Sequence, residues 1–379
     1  MHILISPNAF KESLTATDAA LAIEKGLSQS KLDCTSECFP VGDGGDGTMD
    51  LLIHKYEGVL VNTVVHDALG RKTDSYFGLI DNGKTAVIEM ANASGIRLLH
   101  PTELKPLSAT SFGTGEQIKL ALDQGVNKII IGMGGSATID GGIGILKALG
   151  VRFLDEEGDE LLILPEDLVD LDRIDLSRLD ERTSNCEIII LCDVDNLLLG
   201  DQGAAKVFGP QKGASADDID KLNKALLQFS KITAKATSRD ITELKYGGTA
   251  GGAAAGLNAF LNAKLVNGID YFLELTDFKS SLEKADLIIT GEGSIDEQTL
   301  QGKAPFGVAY QAKLNELPVI ALAGKVPLIA NAELQKYFDV LIPISDQPTE
   351  LSVAIKLTTE NLIRSSAAVG NLLALRIQK

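Results

Sequence analysis

The sequence predicts an α/β protein of about two domains. Runs of β-branched and other apolar residues alternate with helix-like runs along most of the chain. This alternation is typical of parallel strands that are connected by helices. A chain of 379 residues is also long for a single hydrophobic core. Several predicted strands are followed by loops rich in glycine and acidic residues, and ligands of open α/β sheets bind at such strand ends.

The pattern of connections indicates that one domain interrupts the other. The beginning and the end of the chain both consist of β-α-β segments with short connections, whereas the middle has longer loops. We therefore predict a discontinuous domain formed by residues 1–65 and 286–379, with a second α/β domain inserted at residues 66–285.

Hydrophobic periodicity gives the individual elements. Strands are predicted at residues 2–6, 34–41, 59–65, 85–89, 128–131, 151–154, 187–193, 286–290, 318–323 and 340–343. Helices are predicted at residues 15–28, 49–54, 116–124, 143–149, 217–233, 257–265, 305–314 and 350–376. The segment 155–182 has twelve acidic residues against three arginines, and we expect it to be a solvated surface excursion.

Composition and charge exclude several classes of function. A net charge of −17 disfavours binding to nucleic acids or anionic membranes, which both require a basic face. The longest uncharged run, residues 246–263, is interrupted by glycines and is not expected to span a membrane. The first residues lack the pattern of a secretory signal, and none of the four cysteines forms a CxxC pair. We expect a cytoplasmic protein with free thiols.

The stretch GMGGSATIDGG at residues 132–142 is the most distinctive loop. It lies between a predicted strand and a predicted helix and contains five glycines, two hydroxyl side chains and Asp140. Consecutive amides near a helix start can bind an anion, and glycines allow the close approach. The amides of residues 134–138 are therefore candidates for holding a phosphate or a carboxylate. The loop's candidate binding residues are Gly134, Gly135, Ser136, Thr138 and Asp140.

The same stretch also fits a dinucleotide-binding fingerprint. Gly132, Gly134 and Ala137 match GxGxxA after a strand, and Asp155 follows the next predicted strand, where a ribose-binding acid would lie. An NAD-dependent oxidoreductase is therefore the alternative interpretation. It leaves the other acidic, glycine-rich loops without a role.

Charged residues follow several of the predicted strands. Lysines and carboxylates at converging strand ends are the groups that Mg²⁺-assisted phosphoryl transfer requires. The sequence has no Walker A motif, no protein-kinase motif set and no GxSxG hydrolase elbow. The candidates at these strand ends are Lys11, Asp43, Asp193, Asp195, Glu292, Asp296 and Lys303.

Taken together, these loops resemble those of the bacterial glycerate kinases of the two-domain, non-Walker type. The matching stretches run in order over nearly the whole chain: residues 7–16 (PNAFKESLTA), 42–48 (GDGGDGT), 93–95, 111–116 (SFGTGE), 132–142, 192–200 (CDVDNLLLG), 208–214 (FGPQKGA), 247–252 (GGTAGG), 286–298 (DLIITGEGSIDEQ) and 302–305.

The resemblance implies phosphorylation of D-glycerate with ATP and Mg²⁺. It also implies a flavodoxin-like or Rossmann-like domain that is interrupted by the other domain, with the active site in a cleft between them. Members that make either phosphate are known, and we favour 2-phosphoglycerate over 3-phosphoglycerate. We carry a homodimer as a candidate assembly.

Roles can be assigned to the candidates on this basis. Asp193 is the first choice for the general base and Asp43 the second, while Lys11 and Lys303 would neutralise phosphoryl or carboxylate oxygens. Asp195, Glu292 and Asp296 are candidates for binding Mg²⁺ or its waters. Ser94, from the matched stretch 93–95, joins the loop of residues 132–142 as a substrate- or phosphate-binding candidate.

The chain departs from the family pattern at several site positions. Asn8 and Ala9 stand where an aspartate and a serine are usual, Ile139 replaces an asparagine, and Ser294 replaces an arginine. A kinase of a related small hydroxy acid is therefore a further alternative, and a metabolite-binding protein without catalysis is a third class.

Overall fold

The structure is a computed structural model, and it describes residues 1–162, 165–329 and 332–375. Its contacts divide the chain into two compact units. The first unit comprises Met1–Asp43 and Ile269–Lys379, and the second unit comprises Gly44–Gly268. The second unit is therefore an insertion in the sequence of the first.

The strands, in chain order, are β1 His2–Pro7, β2 Thr35–Cys38, β3 Val59–His66, β4 Lys72–Ile80, β5 Thr85–Glu89, β6 Lys128–Gly132, β7 Arg152–Leu154, β8 Arg173–Asp175, β9 Glu187–Cys192, β10 Lys264–Asn267, β11 Leu287–Ser294, β12 Val319–Lys325 and β13 Val340–Pro343. The α-helices are α1 Ala16–Ser28, α2 Thr48–Lys55, α3 Ala91–Ser94, α4 Phe112–Asp123, α5 Ile143–Ala148, α6 Ala204–Phe208, α7 Ala216–Thr237, α8 Ala253–Leu261, α9 Gly268–Leu275, α10 Phe278–Leu282, α11 Ala304–Leu314, α12 Ala332–Tyr337, α13 Leu351–Lys356 and α14 Thr358–Leu373.

The first unit contains a fully parallel sheet with the order β13-β12-β11-β1-β2. Numbered within the unit, this is the order 2-1-3-4-5 of flavodoxin-like folds, so the α/β class and the flavodoxin-like domain are confirmed. The central strands β1, β11 and β12 are mostly apolar because both faces of the sheet are covered there. On one face Ile3, Ile289 and Leu322 pack with Ile23 of α1 and Leu362 of α14.

The second unit contains a mixed sheet with the order β10-β9-β6-β5-β4-β3. Strands β5, β6, β9 and β10 are parallel, whereas β4 is antiparallel to β5 and β3 is antiparallel to β4. A large apolar cluster surrounds the parallel strands and includes Ile129, Ile131, Ile190 and Phe229. A small antiparallel pair, β7 and β8, lies outside this sheet.

The predicted domain boundaries lie further along the chain than the boundaries between the contact units. Residues 59–65 were assigned to the first domain, but β3 pairs with β4 over its full length and therefore belongs to the second unit. The helices α9 and α10, predicted as part of the inserted domain, belong to the first unit. These elements are joined to their neighbours by short connections. The sequence therefore contains no long loop that would have marked the domain boundaries.

Several predicted elements are changed by the structure. The acidic segment 155–182 is not a purely solvated excursion, because Leu161, Leu168, Leu171 and Ile174 are buried. The predicted helix at 350–376 is divided into α13 and α14, and Arg376 lies outside the described residues. Strands β4, β8 and β10 were missed. Within the described residues, every helix is too short or too polar to cross a bilayer.

Candidate active site

The carboxyl edge of the first unit's sheet gathers four of the predicted site residues. Lys11 follows β1, Asp43 follows β2, Glu292 lies near the end of β11 and Lys303 immediately precedes α11. The neighbouring strands β1 and β11 mark the point at which the strand order reverses. Open α/β sheets bind their ligands at this position, outside the carboxyl ends of the strands.

Asp43 is held at the N-terminus of α11. Its Oδ2 accepts hydrogen bonds from the Nδ2 of Asn8 at 3.1 Å and from the backbone N–H of Ala304 at 3.3 Å. Ala304 is the first residue of α11, so the carboxylate interacts favourably with the helix dipole. Asn8 is one of the departures from the family pattern, and its amide is neutral where a second carboxylate would face Asp43.

Glu292 is buried in the middle of this group of charges. Its Oε1 accepts a hydrogen bond from Thr299 Oγ1 at 3.2 Å. Burial raises the pKa of Glu292 to about 7; Lys303 and Lys11 oppose the rise, whereas Asp43 adds to it. The carboxyl groups and lysines of this edge therefore interact with one another, and we call Lys11, Asp43, Glu292 and Lys303 the charged edge.

The three predicted metal ligands have different surroundings. Asp296 caps the short helix Glu297–Gln301, and its Oδ1 accepts the N–H of Gln298 at 2.9 Å. Asp195 is exposed in the segment after β9, in the second unit, whereas Glu292 and Asp296 are in the first. Among the described residues, no three His, Cys, Asp or Glu side chains form a group that could hold a metal ion. The assignment of Asp195, Glu292 and Asp296 as metal ligands stays a prediction.

The glycine-rich stretch at residues 132–142, hereafter the glycine turn, connects β6 to α5 in the second unit. The N–H of Gly134 donates to the Gly44 carbonyl at 3.0 Å, and the N–H of Ala137 donates to the Ser94 carbonyl at 2.9 Å. A Cβ at Gly134 would lie 2.6 Å from the Cα of Gly45, so glycine is required there. These two amides are committed to the fold, which corrects their prediction as anion ligands.

Three other amides of the glycine turn are differently placed. Within the described residues, the N–H groups of Gly135, Ser136 and Thr138 have no hydrogen-bond acceptor. The φ of Gly135 is +71°, a conformation that favours glycine. The anion-binding capacity predicted for the turn can therefore reside in these three groups.

The residues that match the dinucleotide fingerprint do not have the strand–turn–helix geometry that this fingerprint requires. In that fingerprint the third small residue opens the helix, but here α5 begins at Ile143, well after Ala137. Asp155 follows β7, which pairs with β8 in a separate two-stranded sheet and is not part of the six-stranded sheet. The NAD-dependent alternative is therefore not favoured.

Asp140 stabilises the glycine turn from inside. Its carboxylate is fully buried and accepts hydrogen bonds from the N–H and Oγ of Ser111, at 2.8 and 2.7 Å. It also accepts from the N–H groups of Gly142 and Gly144, at 3.1 and 3.2 Å. These donors use its lone pairs, so Asp140 positions the turn.

Ser94 has a similar supporting role. Its side chain is fully buried and its Oγ lies 2.9 Å from Thr114 Oγ1, while its carbonyl accepts the N–H of Ala137. Ser136 is also buried, with 6% of its surface exposed, and it forms a bridge with Gly95 across the same loop. The Ser94 side chain therefore supports the turn from inside, as Asp140 does.

Lys212 is a site residue that the sequence analysis missed. Its side chain is buried, and its Nζ donates to Ser136 Oγ at 2.9 Å and to the Thr138 carbonyl at 2.8 Å. Burial lowers the pKa of Lys212 to about 8, and the negative charges of Asp140 and Asp193 oppose this shift. The lysine stands in the matched stretch 208–214, but nothing in its neighbours predicted burial.

Arg97 and Asp46 form a second missed group beside the glycine turn. The Nη1 of Arg97 lies 3.6 Å from Asp46 Oδ1, and Arg97 also donates to the side chain of Asn92. A Cβ at Gly135 would lie 3.4 Å from the same Asp46 oxygen. Asp46 is the second aspartate of the stretch GDGGDGT, and no role was predicted for it from the sequence.

A flavodoxin-like sheet with lysines and carboxylates at its carboxyl edge, in a chain whose glycine turn has three amides without an acceptor among the described residues, has the groups that a phosphotransferase requires. Comparison with known proteins specifies which one. The model of the glycerate kinase family matches residues 3–374, and the chain belongs to this family.

Individual relatives agree with this assignment. The glycerate kinase of Bacillus subtilis (strain 168) is 43% identical over 370 residues, which cover 98% of this chain and 97% of that protein. The glycerate 2-kinase of Escherichia coli (strain K12) is 40% identical over 375 residues, covering 99% and 98%. A crystal structure from Salmonella typhimurium LT2, provisionally named glycerate kinase 2, matches with a TM-score of 0.83 and 41% identity, covering 98% of both chains. The protein is thus a kinase that acts on glycerate, and the family implies ATP as the phosphate donor.

Proposed function

We propose that the protein transfers the γ-phosphoryl group of ATP to the 2-hydroxyl of D-glycerate. The observation that carries the choice of 2-phosphoglycerate is the 40% identity, over nearly the whole chain, to a relative named glycerate 2-kinase. The Salmonella structure supports it through its provisional name. D-Glycerate is the acceptor that the resemblance implies.

The charged edge is suited to act on the transferring phosphoryl group. In a loose transition state the negative charge is spread over the equatorial oxygens, and cations at fixed positions stabilise it. Lys11 and Lys303 supply two cations that influence the same buried carboxyl group. Lys11 is exposed and Lys303 is half-buried, so both ammonium groups are available to a ligand.

The charged edge also fits a magnesium ion. Mg²⁺ prefers one or two carboxylates, with waters and phosphate oxygens completing its shell. The buried carboxyl of Glu292, whose pKa is raised to about 7, is a group that a divalent cation would stabilise in its ionised form. Glu292 and Asp296 would hold the ion in the first unit, and Asp195 remains a candidate in the second. When bound, Mg²⁺ neutralises the phosphate charge.

Asp193 is our choice for the general base. It follows β9 in the second unit, is partly exposed and interacts electrostatically with Lys212. A carboxylate that accepts the proton of the attacking hydroxyl makes that oxygen a better nucleophile. Asp43 is the second choice, because its Oδ2 is already shared between Asn8 and the start of α11.

A panel of acceptors tests the proposed function. ADP release would be measured with D-glycerate, L-glycerate, glycolate and tartronate, and the product would be identified by NMR. We expect the highest kcat/KM with D-glycerate and a product phosphorylated at C2. A product phosphorylated at C3, or a higher kcat/KM with another acid, would contradict the proposal.

Three further expectations stay predictions. The active-site cleft between the domains, implied by the resemblance, and the cytoplasmic location are two of them. A homodimer is the third, and light scattering after size-exclusion chromatography would detect it as twice the mass of the chain. A mass equal to one chain would contradict it.

A further inference from the structure

The buried ammonium of Lys212 determines the direction of the hydrogen bonds in the glycine turn. A protonated lysine only donates, so the Oγ of Ser136 must accept at 2.9 Å and the Thr138 carbonyl must accept at 2.8 Å. The hydroxyl proton of Ser136 is therefore left to point toward another acceptor. Among the described residues, no acceptor receives it.

A second observation also indicates a ligand at this turn. The Oγ1 of Thr138 is buried and has no hydrogen-bond partner within the described part of the chain, and the residue is fully buried. Buried polar atoms in folded proteins almost always have a partner, and a bound ligand or water is the usual one when the protein offers none. The unpaired N–H groups of Gly135, Ser136 and Thr138 lie in the same short stretch.

Burial of a lysine is costly unless its charge is used. The groups that face this ammonium are Asp140, which belongs to the turn itself, and Asp193, which follows β9. Asp140 is occupied by the hydrogen bonds of Ser111, Gly142 and Gly144. The ammonium of Lys212 also donates directly to Ser136 Oγ, and this hydrogen bond polarises the hydroxyl.

We propose that Lys212 is the positioning residue of an anion-binding relay, in which its ammonium orients the Ser136 hydroxyl to donate to a bound carboxylate or phosphate oxygen. This rests on the proposed function for the identity of the anion, which is the carboxylate of glycerate or a phosphate of ATP. In this relay Lys212 acts through Ser136 and need not itself touch the ligand.

A double-mutant cycle tests the relay. Lys212→Met, Ser136→Ala and the double variant would be compared for binding of D-glycerate and, separately, of ATP, by titration calorimetry. If the lysine acts through the serine, each single change weakens binding of one of the two ligands by about 10- to 100-fold, the loss expected for one charge-assisted hydrogen bond. The double variant would be weakened no more than Lys212→Met alone.

Proton uptake on ligand binding distinguishes the relay from a purely structural role, because a structural lysine would not change its protonation when the ligand binds. Binding of an anion stabilises the charged ammonium, so at pH 8 the wild-type protein should take up about half a proton per ligand. Titrations in buffers with different ionisation enthalpies measure this uptake, which should be absent in Lys212→Met. Lys212→Arg, which keeps the charge, serves as the second variant if the methionine variant does not fold, and should retain binding better than Ser136→Ala.

Lys224→Met is the matched control, since Lys224 is exposed on α7. Its binding and proton uptake should equal those of the wild type. The ligand whose affinity falls identifies the anion. Unchanged affinity for both ligands in Lys212→Met, additive effects in the double variant, or unchanged proton uptake would overturn the relay. If the wild-type protein binds D-glycerate but makes no 2-phosphoglycerate, the proposed function fails independently of the relay.

Discussion

The charged edge and the glycine turn solve different physical problems. In the charged edge, the functional groups are side-chain charges on Lys11, Asp43, Glu292 and Lys303, and three of them are exposed or half-buried. In the glycine turn, several polar groups are already bonded inside the protein, and Lys212, which donates to the turn, is buried. The exposed side-chain charges of the first arrangement can adjust to the phosphoryl group as its charge is redistributed during transfer. The bonded groups of the second arrangement are suited to rigid recognition of an anion.

The largest expected effect belongs to the proposed general base. Asp193→Asn keeps the shape of the side chain but cannot accept the proton, and kcat should fall about 10²- to 10⁴-fold. Steady-state ADP release measures this, and the thermal transition should be little changed. If kcat falls less than about threefold, Asp193 is not the general base and Asp43 takes that role. Proton transfer would then occur at the charged edge.

The lysines of the charged edge come next. Lys11→Ala and Lys303→Ala should each lower kcat/KM about 10- to 100-fold, because each removes a charge-assisted contact to the phosphoryl oxygens. Lys25→Ala, an exposed lysine of α1, is the control in the same unit and should be neutral. If Lys11→Ala behaves like the control, Lys11 is an ordinary surface lysine.

A substitution of Asp140 tests the comparison through the free energy of unfolding. Asp140→Asn leaves some of the four donors around this buried carboxylate without an acceptor, which should cost about 2–3 kcal/mol of unfolding free energy. The thermal transition should fall by about 5–10 °C. Asp201→Asn, whose aspartate is 93% exposed, is the control and should shift little. If Asp140→Asn has the thermal transition temperature of the wild type but no longer binds glycerate, Asp140 is a ligand of the substrate, as predicted from the sequence.

The last prediction depends on pH and concerns Glu89, a buried carboxyl group at the end of β5. Burial raises its pKa to about 7, so the folded protein binds this proton more tightly than the unfolded chain does. Its contribution to stability is therefore present at low pH and is lost as pH rises from about 4.5 to 7, by up to about 1.4 kcal/mol per pH unit. Thermal transitions of the wild type and Glu89→Gln at pH 5 and 7 measure this. Their difference should move in favour of the variant at pH 7, and an equal difference at both pH values would contradict the assignment.

The sequence predicted much of the fold because its signals are local. The central strands β1, β11 and β12 of the first unit contain apolar runs that the sequence shows directly. The α1 cap at Thr15 is a threonine three residues before Asp18. Strand β4 was missed because its alternation is irregular. Strand β3 was recognised, but its pairing with β4 and its place in the second contact unit were not predicted, since strand pairing depends on residues distant in sequence.

The site residues divide in the same way. Lys11, Asp43, Glu292 and Lys303 follow strands, so the topology of a parallel sheet brings them to one edge. Lys212 and Arg97 could not be predicted, because their place depends on how loops fold onto the glycine turn. Asp140 and Ser94 were predicted as ligands since a sequence does not distinguish a polar group that contacts a ligand from one that supports the loop.

The central claim is that the charged edge acts on the phosphoryl group whereas the glycine turn binds an anion. Rapid-quench measurement of the single-turnover rate constant, with the Kd values of D-glycerate and ATP, tests it in Lys11→Ala and Ser136→Ala. We predict that Lys11→Ala lowers the rate constant for phosphoryl transfer at saturating substrate, whereas Ser136→Ala raises one of the two Kd values and leaves that rate constant nearly unchanged. If both substitutions lower the rate constant and change neither Kd, the two regions share one task and the account is wrong.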